Sequence, residues 1–146
     1  DPAARRDRAR RKRERKGVDL LAVNLADAEH GFERADNAVE IIGRRMKTAL
    51  LTNNVVGLDP SGEITEVLAH FDVVIESSVV GVRKPDPAFY ELACERLAIA
   101  PSEAVFLDDL GVNLKPARAL GMATIKVADP AAALGELESL LGYPLA

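Results

Sequence analysis

Short apolar runs alternate with amphipathic stretches from Gly17 to the end of the chain. Four of these runs are apolar along nearly their whole length, as expected for strands that are covered on both faces. They are residues 48–51, 72–75, 104–107 and 123–127. Apolar residues at helical spacing predict helices over residues 36–45, 87–97, 113–120 and 129–141. The alternation predicts an α/β fold in which helices flank a parallel sheet.

A fifth apolar run near the N-terminal end is ambiguous. Residues 18–23 (VDLLAV) are compatible with a further strand, but Asp19 interrupts the run. A helix over residues 18–25 fits the pattern about as well, because a short apolar run has no decisive periodicity. The sequence therefore leaves strand and helix open here.

Composition is that of one aliphatic α/β domain. The chain has 146 residues, of which 48% are hydrophobic, with four Phe, two Tyr and no Trp. The single cysteine, Cys94, excludes an internal disulfide framework and is compatible with a reducing cytosol. No apolar run reaches the length of a membrane span. We therefore expect a soluble, cytoplasmic protein with no membrane partner.

Charge divides the chain into two parts. Residues 1–17 hold nine Arg or Lys against three acidic residues, whereas the remainder holds ten against twenty. The Arg-rich segment has no apolar periodicity, so we expect a disordered basic tail over residues 1–17 and an α/β core over residues 18–146. The alternative function of this tail is nucleic-acid binding. A single basic run without aromatics is more typical of a solvated tail, so we expect no nucleic-acid partner.

Polar residues of complementary chemistry follow three of the predicted strands. Thr52 and Asn53 follow the first, Lys84 comes after the second, and Asp108 and Asp109 follow the third. In an open parallel sheet these positions meet at one edge. A hydroxyl and a lysine suit phosphate oxygens, and adjacent carboxylates suit Mg²⁺. Each residue alone is compatible with an ordinary turn, a solvated lysine or a helix cap, but together they favour a phosphoryl site.

Three segments carry these residues and resemble the second, third and fourth motifs of the haloacid dehalogenase-like superfamily. They are LTNN (51–54), GVRKPDP (81–87) and FLDDLGVNLKPAR (106–118), in the family's order. The third is especially similar to the phosphatase domain of soluble epoxide hydrolases and to related domains of acyl-CoA dehydrogenase fusion proteins. The resemblance covers about residues 36–145. By this resemblance Asn113 helps to shape the loop of the third segment.

The resemblance implies a Rossmann-like, doubly wound parallel sheet and a Mg²⁺-dependent phosphatase acting on a small or lipid-like phosphate monoester. It implies that Thr52, Asn53 and Lys84 bind the phosphoryl group of a small-molecule substrate. It further implies catalytic roles for Lys84 and Asp108. Asp109, supported by Asp108, is the implied Mg²⁺ ligand.

The family's first motif has no counterpart before Thr52. This motif is an aspartate nucleophile followed two residues later by an acid–base aspartate, and the nearest candidate, residues 20–26 (LLAVNLA), has Asn24 and Ala26 there. An amide is a poor nucleophile, so either the chain is truncated or rearranged, or it has lost hydrolysis. A phosphohydrolase core, active or inactive as given, and a non-catalytic phosphate-binding or scaffold domain both remain open. The short stretch before Thr48 leaves the family's helical cap absent or minimal. If the first strand is missing, the gap in the sheet would favour a homodimer.

Two other α/β classes fit less well. Phosphoacceptor receiver domains also combine paired acids, a hydroxyl and a lysine, but they place the acids first and the lysine last. Here Thr52 comes first and Asp109 last. The absence of GxGxxG and GxxxxGK[ST] segments argues against dinucleotide and P-loop nucleotide binding.

Overall fold

The computed structural model describes residues 20–23, 40, 42–55, 57 and 65–145. The predicted basic tail over residues 1–17 lies outside the described residues, as does half of the predicted helix over residues 36–45, of which residues 40, 42 and 43 are helical. Within the described ranges no helix is long and apolar enough to cross a membrane.

Five parallel strands form one sheet in this part of the chain. They are β1 (Leu20–Val23), β2 (Lys47–Thr52), β3 (Val73–Glu76), β4 (Ala104–Asp108) and β5 (Ala123–Lys126). The strand order is β3-β2-β1-β4-β5, and all neighbours are parallel. The chain adds β2 and β3 on one side of β1 and then returns to add β4 and β5 on the other. The predicted doubly wound parallel sheet is confirmed.

The ambiguous run forms β1, the central strand. Its four residues pair with residues 47–50 of β2 on one side and with residues 104–107 of β4 on the other. The strand alternative is therefore confirmed for residues 20–23, and the helical alternative is wrong. The deciding factor is the pair of neighbouring strands, which periodicity within the run cannot reveal. Because β1 fills the centre of the sheet, the gap on which we based a homodimer does not exist.

Five α-helices have both of their ends within the described residues. They are α1 (Thr65–Leu68), α2 (Ser77–Val80), α3 (Pro87–Leu97), α4 (Gly111–Ala119) and α5 (Pro130–Leu141). The three longer helices confirm the sequence predictions, and α3 has the predicted bounds. The carboxylate of Asp86 accepts a hydrogen bond from the Ala88 N–H and so caps α3. The two four-residue helices were not predicted, because one turn is too short to produce a periodic pattern.

Apolar cores lie on both faces of the sheet. Along β4, Phe106 packs among residues of α3 and α4 on one face, whereas Leu107 packs among residues of α5 on the other. This alternation is the two-residue period of a strand covered by helices on both sides. The helices therefore cover the faces of the sheet, and the carboxyl ends of its strands share one edge.

Candidate functional site

Four of the predicted site residues, Thr52, Asn53, Asp108 and Asp109, lie at the ends of the two strands that flank β1. Thr52 is the last residue of β2, and Asp108 is the last residue of β4. Val23, at the end of β1, pairs with Leu50 and with Leu107. The strand order reverses between β1 and β4, and ligands of doubly wound sheets bind outside the carboxyl ends at such a switch point.

A buried ion pair joins the loop after α2 to the end of β4. Lys84 Nζ lies 2.9 Å from Asp108 Oδ2 and 3.0 Å from the backbone oxygen of Leu51. Lys84 is 2% exposed and Asp108 1% exposed. Two residues from separate sequence segments are therefore in direct contact, with the ammonium held at the end of β2.

The side chain of Asn53 holds the backbone of Lys84. Asn53 Nδ2 donates to the Lys84 backbone oxygen, and the Lys84 N–H donates to Asn53 Oδ1, both at 2.9 Å. The chain reaches this position through Gly81, which ends α2 with φ 77°, a conformation that glycine adopts without steric cost. These two bonds fix the backbone of Lys84 beside the end of β2.

Asp108 is surrounded by hydrogen-bond donors. Its Oδ1 accepts from the Leu110 N–H at 2.9 Å, and Asn113 Nδ2 lies 3.2 Å from both carboxylate oxygens. Lys84 Nζ is a further donor. A buried carboxylate is tolerated only when it is paired and hydrogen-bonded in this way, so the surrounding bonds fix the position of Asp108.

Tyr90 extends this network and was missed by the sequence analysis. Its hydroxyl donates to the backbone oxygen of Asn113 at 2.6 Å, and the residue is fully buried. Its ring packs edge-to-face on Phe106, with centroids 5.1 Å apart. In sequence Tyr90 belongs to the apolar stripe of α3, where a tyrosine resembles an ordinary core residue. The available signal was its hydroxyl, which needs a partner once buried.

Thr52 and Asp109 complete the set of predicted residues. Thr52 is half-buried, and its hydroxyl forms no hydrogen bond with another residue that the structure describes. Asp109 is exposed, and its charge acts on the buried Lys84 ammonium. All five predicted residues therefore lie at one edge of the sheet, with Lys84 at the centre of the group.

For both Lys84 and Asp108, burial and neighbouring charges shift the pKa in opposite directions. Burial lowers the pKa of Lys84, an effect that Asp108 and Asp109 partly offset. Burial alone would raise the pKa of Asp108, but the Leu110 N–H and the Lys84 ammonium hold it below its ordinary value. Asp108 is therefore ionised at neutral pH.

A cleft of about 280 Å³ adjoins Asn53. Its lining residues are Asn53, Asn54, Val55, Ser77, Gly81, Val82 and Arg83. One wall is braced by two hydrogen bonds: the Asn54 N–H donates to Ser77 Oγ at 2.8 Å, and this hydroxyl donates to the Asn54 backbone oxygen at 3.0 Å. The loop after β2 is therefore joined to the start of α2.

The family is decided by the match of the chain to a known family model. A model described as haloacid dehalogenase-like hydrolase matches residues 4–121, which is most of the chain. The chain belongs to this family. The match begins well before residue 36, where the resemblance in sequence motifs started.

Two relatives of this haloacid dehalogenase-like chain are large proteins. Mouse acyl-CoA dehydrogenase family member 10 is 48% identical over 73% of the chain, and pig bifunctional epoxide hydrolase 2 is 41% identical over 83%. The matched regions are 10% and 23% of the lengths of these proteins. The chain is thus similar to one part of each relative.

Solved structures share the fold. An uncharacterised protein from Corynebacterium glutamicum has a TM-score of 0.77 at 23% identity, covering 86% of this chain and 96% of its own. A haloacid dehalogenase family enzyme from Bacteroides thetaiotaomicron, in complex with magnesium and inorganic phosphate, has a TM-score of 0.59 at 15% identity, covering 79% of this chain and 98% of its own. Both likenesses show that these proteins share the fold of this chain.

The family implies Mg²⁺, and the donors at the site fit this ion through Asp109. Mg²⁺ is commonly held by one or two carboxylates together with water and substrate phosphate oxygens, so a dedicated protein cage is not needed. The described residues contain no group of three or more His, Cys, Asp or Glu side chains that could hold a metal by themselves. Asp109 is exposed, so water ligands of the ion can reach it, whereas Asp108 is buried and both of its carboxylate oxygens accept hydrogen bonds.

Asp108→Asn is expected to destabilise the haloacid dehalogenase-like core at neutral pH and to lose this effect in acid. Because the pKa of Asp108 is lowered by folding, its carboxylate contributes stability above the unfolded value of 3.8, and this contribution disappears as the pH falls through the folded pKa. Urea unfolding of both proteins between about pH 7 and pH 3 measures the free energy of unfolding.

Asp86→Asn is the matched control for this comparison. It replaces an exposed carboxylate by an amide that also caps helices, so it should leave the stability near that of the parent. A destabilisation by Asp108→Asn that stays constant down to the most acidic pH would contradict the ionic pair.

Proposed function

We propose that this chain is the core of a Mg²⁺-dependent phosphohydrolase that acts on a small or lipid-like phosphate monoester. The main support is the buried pair of Lys84 and Asp108 at the switch point of the sheet. A cation held rigidly in a site of low dielectric can stabilise phosphoryl charge without reorganisation during the reaction. A surface lysine would have neither property.

Three donors would hold the phosphoryl group. Lys84 Nζ has three N–H bonds, and Leu51 and Asp108 accept two of them, which leaves one for a phosphoryl oxygen. The Thr52 hydroxyl and the Asn53 backbone N–H would donate from the end of β2. Asp108 would then act by positioning Lys84 rather than by touching the substrate.

Asp109 would be the direct protein ligand of Mg²⁺. When bound, this ion would neutralise negative charge on the phosphoryl oxygens. Asp108 would support the site from behind, because its hydrogen bonds to Lys84 and Asn113 fix the chain immediately before Asp109. The exposure of Asp109 is compatible with additional water ligands.

Exposed apolar residues support a substrate with an apolar portion. Val55, Leu110 and Val112 are 97%, 52% and 60% exposed, respectively. Val55 follows β2, and Leu110 and Val112 follow β4, which are the two strands that carry proposed phosphoryl-site residues. Such residues at the edge of a polar site suit contact with the hydrocarbon of a lipid-like substrate.

A non-catalytic phosphate-binding or scaffold domain is the second candidate. It is favoured by Asn24 and Ala26, which occupy the family's two aspartate positions in sequence and lie outside the described residues. The phosphate-binding residues of the two candidates are the same. The difference between them is whether a phosphate ester is cleaved.

Hydrolysis of 4-nitrophenyl phosphate with and without Mg²⁺ tests the proposal. A phosphohydrolase should depend on Mg²⁺ and lose turnover by roughly a hundredfold or more in Asp109→Asn. Glu95→Gln, which removes one exposed carboxylate from α3, should retain turnover and is the matched control. Phosphate binding without turnover would support the scaffold candidate instead. Failure to bind phosphate at all would contradict both.

A further inference from the structure

We infer that the cleft beside Asn53 is a specificity site in which the Arg83 guanidinium binds a second anionic group of the substrate. The inference rests on the proposed phosphohydrolase function, because it concerns the part of the substrate next to the phosphoryl group. It adds the requirement that the substrate has a second anionic group, which the phosphohydrolase function by itself does not need.

The cleft is continuous with the proposed phosphoryl site through Asn53. This residue lines the cleft and also binds the backbone of Lys84 through two hydrogen bonds. Arg83, the residue before Lys84, lines the same cleft. Its backbone oxygen accepts from the Asp86 N–H at 2.9 Å, so the exposed Arg83 side chain extends from a braced backbone.

Other polar side chains of the cleft are already engaged. Asn54 Nδ2 donates to Glu76 Oε1 at 2.9 Å, and Asn54 Oδ1 accepts from the Ser78 N–H at 3.2 Å. The Ser77 hydroxyl bonds to the backbone of Asn54 in both directions. These bonds stiffen the wall but leave little capacity for a ligand.

Arg83 differs from these neighbours. Among the residues that the structure describes, no acidic side chain forms a salt bridge with its guanidinium. The acidic residue at this wall, Glu76, is half-buried and accepts a hydrogen bond from Asn54. Arg83 is therefore the charged group that the cleft can offer to a ligand.

The chemistry of the cleft defines the class of ligand. A guanidinium binds a carboxylate or a phosphate through two parallel N–H donors. Val55 and Val82 line the same cleft and can contact the hydrocarbon that joins such a group to the ester oxygen. The preferred substrate is thus a phosphate monoester whose leaving group carries a carboxylate or a second phosphate.

A matched pair of probes tests this inference: 4-carboxyphenyl phosphate and 4-methylphenyl phosphate, which differ only in the carboxylate. With Mg²⁺ present, calorimetry should find that the full chain binds the carboxylate probe about fivefold more tightly, as expected for an exposed ion pair. If the probes are hydrolysed, kcat/KM replaces affinity. The preference should weaken with added salt.

Arg83→Gln should abolish the preference, because it removes the guanidinium that binds the carboxylate, so the two probes should bind the variant equally. Arg96→Gln is the control, since it removes the same charge near the end of α3. That end lies at the opposite edge of the sheet, where Leu97 O accepts from Lys47 Nζ at the start of β2. Arg96→Gln should keep the preference.

The outcomes separate the inference from the function on which it rests. Equal binding of the two probes, or a preference that persists in Arg83→Gln, would overturn the specificity site and leave the phosphohydrolase proposal standing. Failure of both probes to bind would overturn both. Loss of the preference in Arg96→Gln as well would indicate an effect of net charge and would also overturn the site.

Discussion

Replacement of Lys84 by methionine is expected to lower the free energy of unfolding by about 3–5 kcal/mol and to abolish phosphate binding. Methionine fills similar space but leaves the Asp108 carboxylate, which is 1% exposed, without its counter-charge. The desolvation that Asp108 suffers on folding would then lose the offset that the Lys84 ammonium provides, although the hydrogen bonds from Leu110 and Asn113 remain. Urea unfolding followed by circular dichroism measures the stability, and calorimetry with inorganic phosphate measures binding.

Two further variants separate the effect of breaking the ion pair from the effect of losing a lysine. Lys47→Met removes an ammonium that donates to the Leu97 backbone oxygen at 2.6 Å, and it should cost only about 1 kcal/mol while retaining phosphate binding. The double variant Lys84→Met/Asp108→Leu removes both buried charges, so it should recover most of the lost stability but not the binding. If Lys84→Met proved no less stable than Lys47→Met, the structural role assigned to the pair would be wrong.

Restoring the family's two aspartates through Asn24→Asp and Ala26→Asp is expected to raise Mg²⁺-dependent hydrolysis of 4-nitrophenyl phosphate by roughly three orders of magnitude. A carboxylate can form the covalent phosphoryl intermediate that an amide cannot. Both positions lie outside the described residues, but they follow β1, and Val23 at its end pairs with Leu107, the residue before Asp108. Initial rates measured by release of nitrophenolate provide the comparison with the parent chain.

The single variant Ala26→Asp is the control for this gain of activity. It supplies the acid–base position without a nucleophile, so it should remain near the parent rate. Adding Asp109→Asn to the double variant should remove the gain if the activity belongs to the proposed site. Unchanged turnover in a double variant that still binds phosphate would favour the scaffold candidate. A parent chain that already hydrolyses the ester would mean that another residue is the nucleophile.

Much of the fold could be predicted from local patterns. Residues 48–51 and 104–107 are apolar at nearly every position because both faces of their strands are covered, and both were found as strands. Asp86 and Pro87 mark the start of α3 because the capping bond and the restricted φ of proline are local properties. The shared edge of the site residues also followed, since the carboxyl ends of parallel strands must meet at one edge.

The tertiary structure decided the contacts between residues that are far apart in sequence. It assigned residues 20–23 to the central strand by pairing them with β2 and β4, it set Lys84 against Asp108 at 2.9 Å, and it connected Tyr90 to Asn113. Sequence spacing contains no information on these distances, because they depend on which strands are neighbours in the sheet. The sequence by itself therefore determined which residues are suited to a phosphoryl site, whereas the packing of the sheet determined which of them hold one another in place.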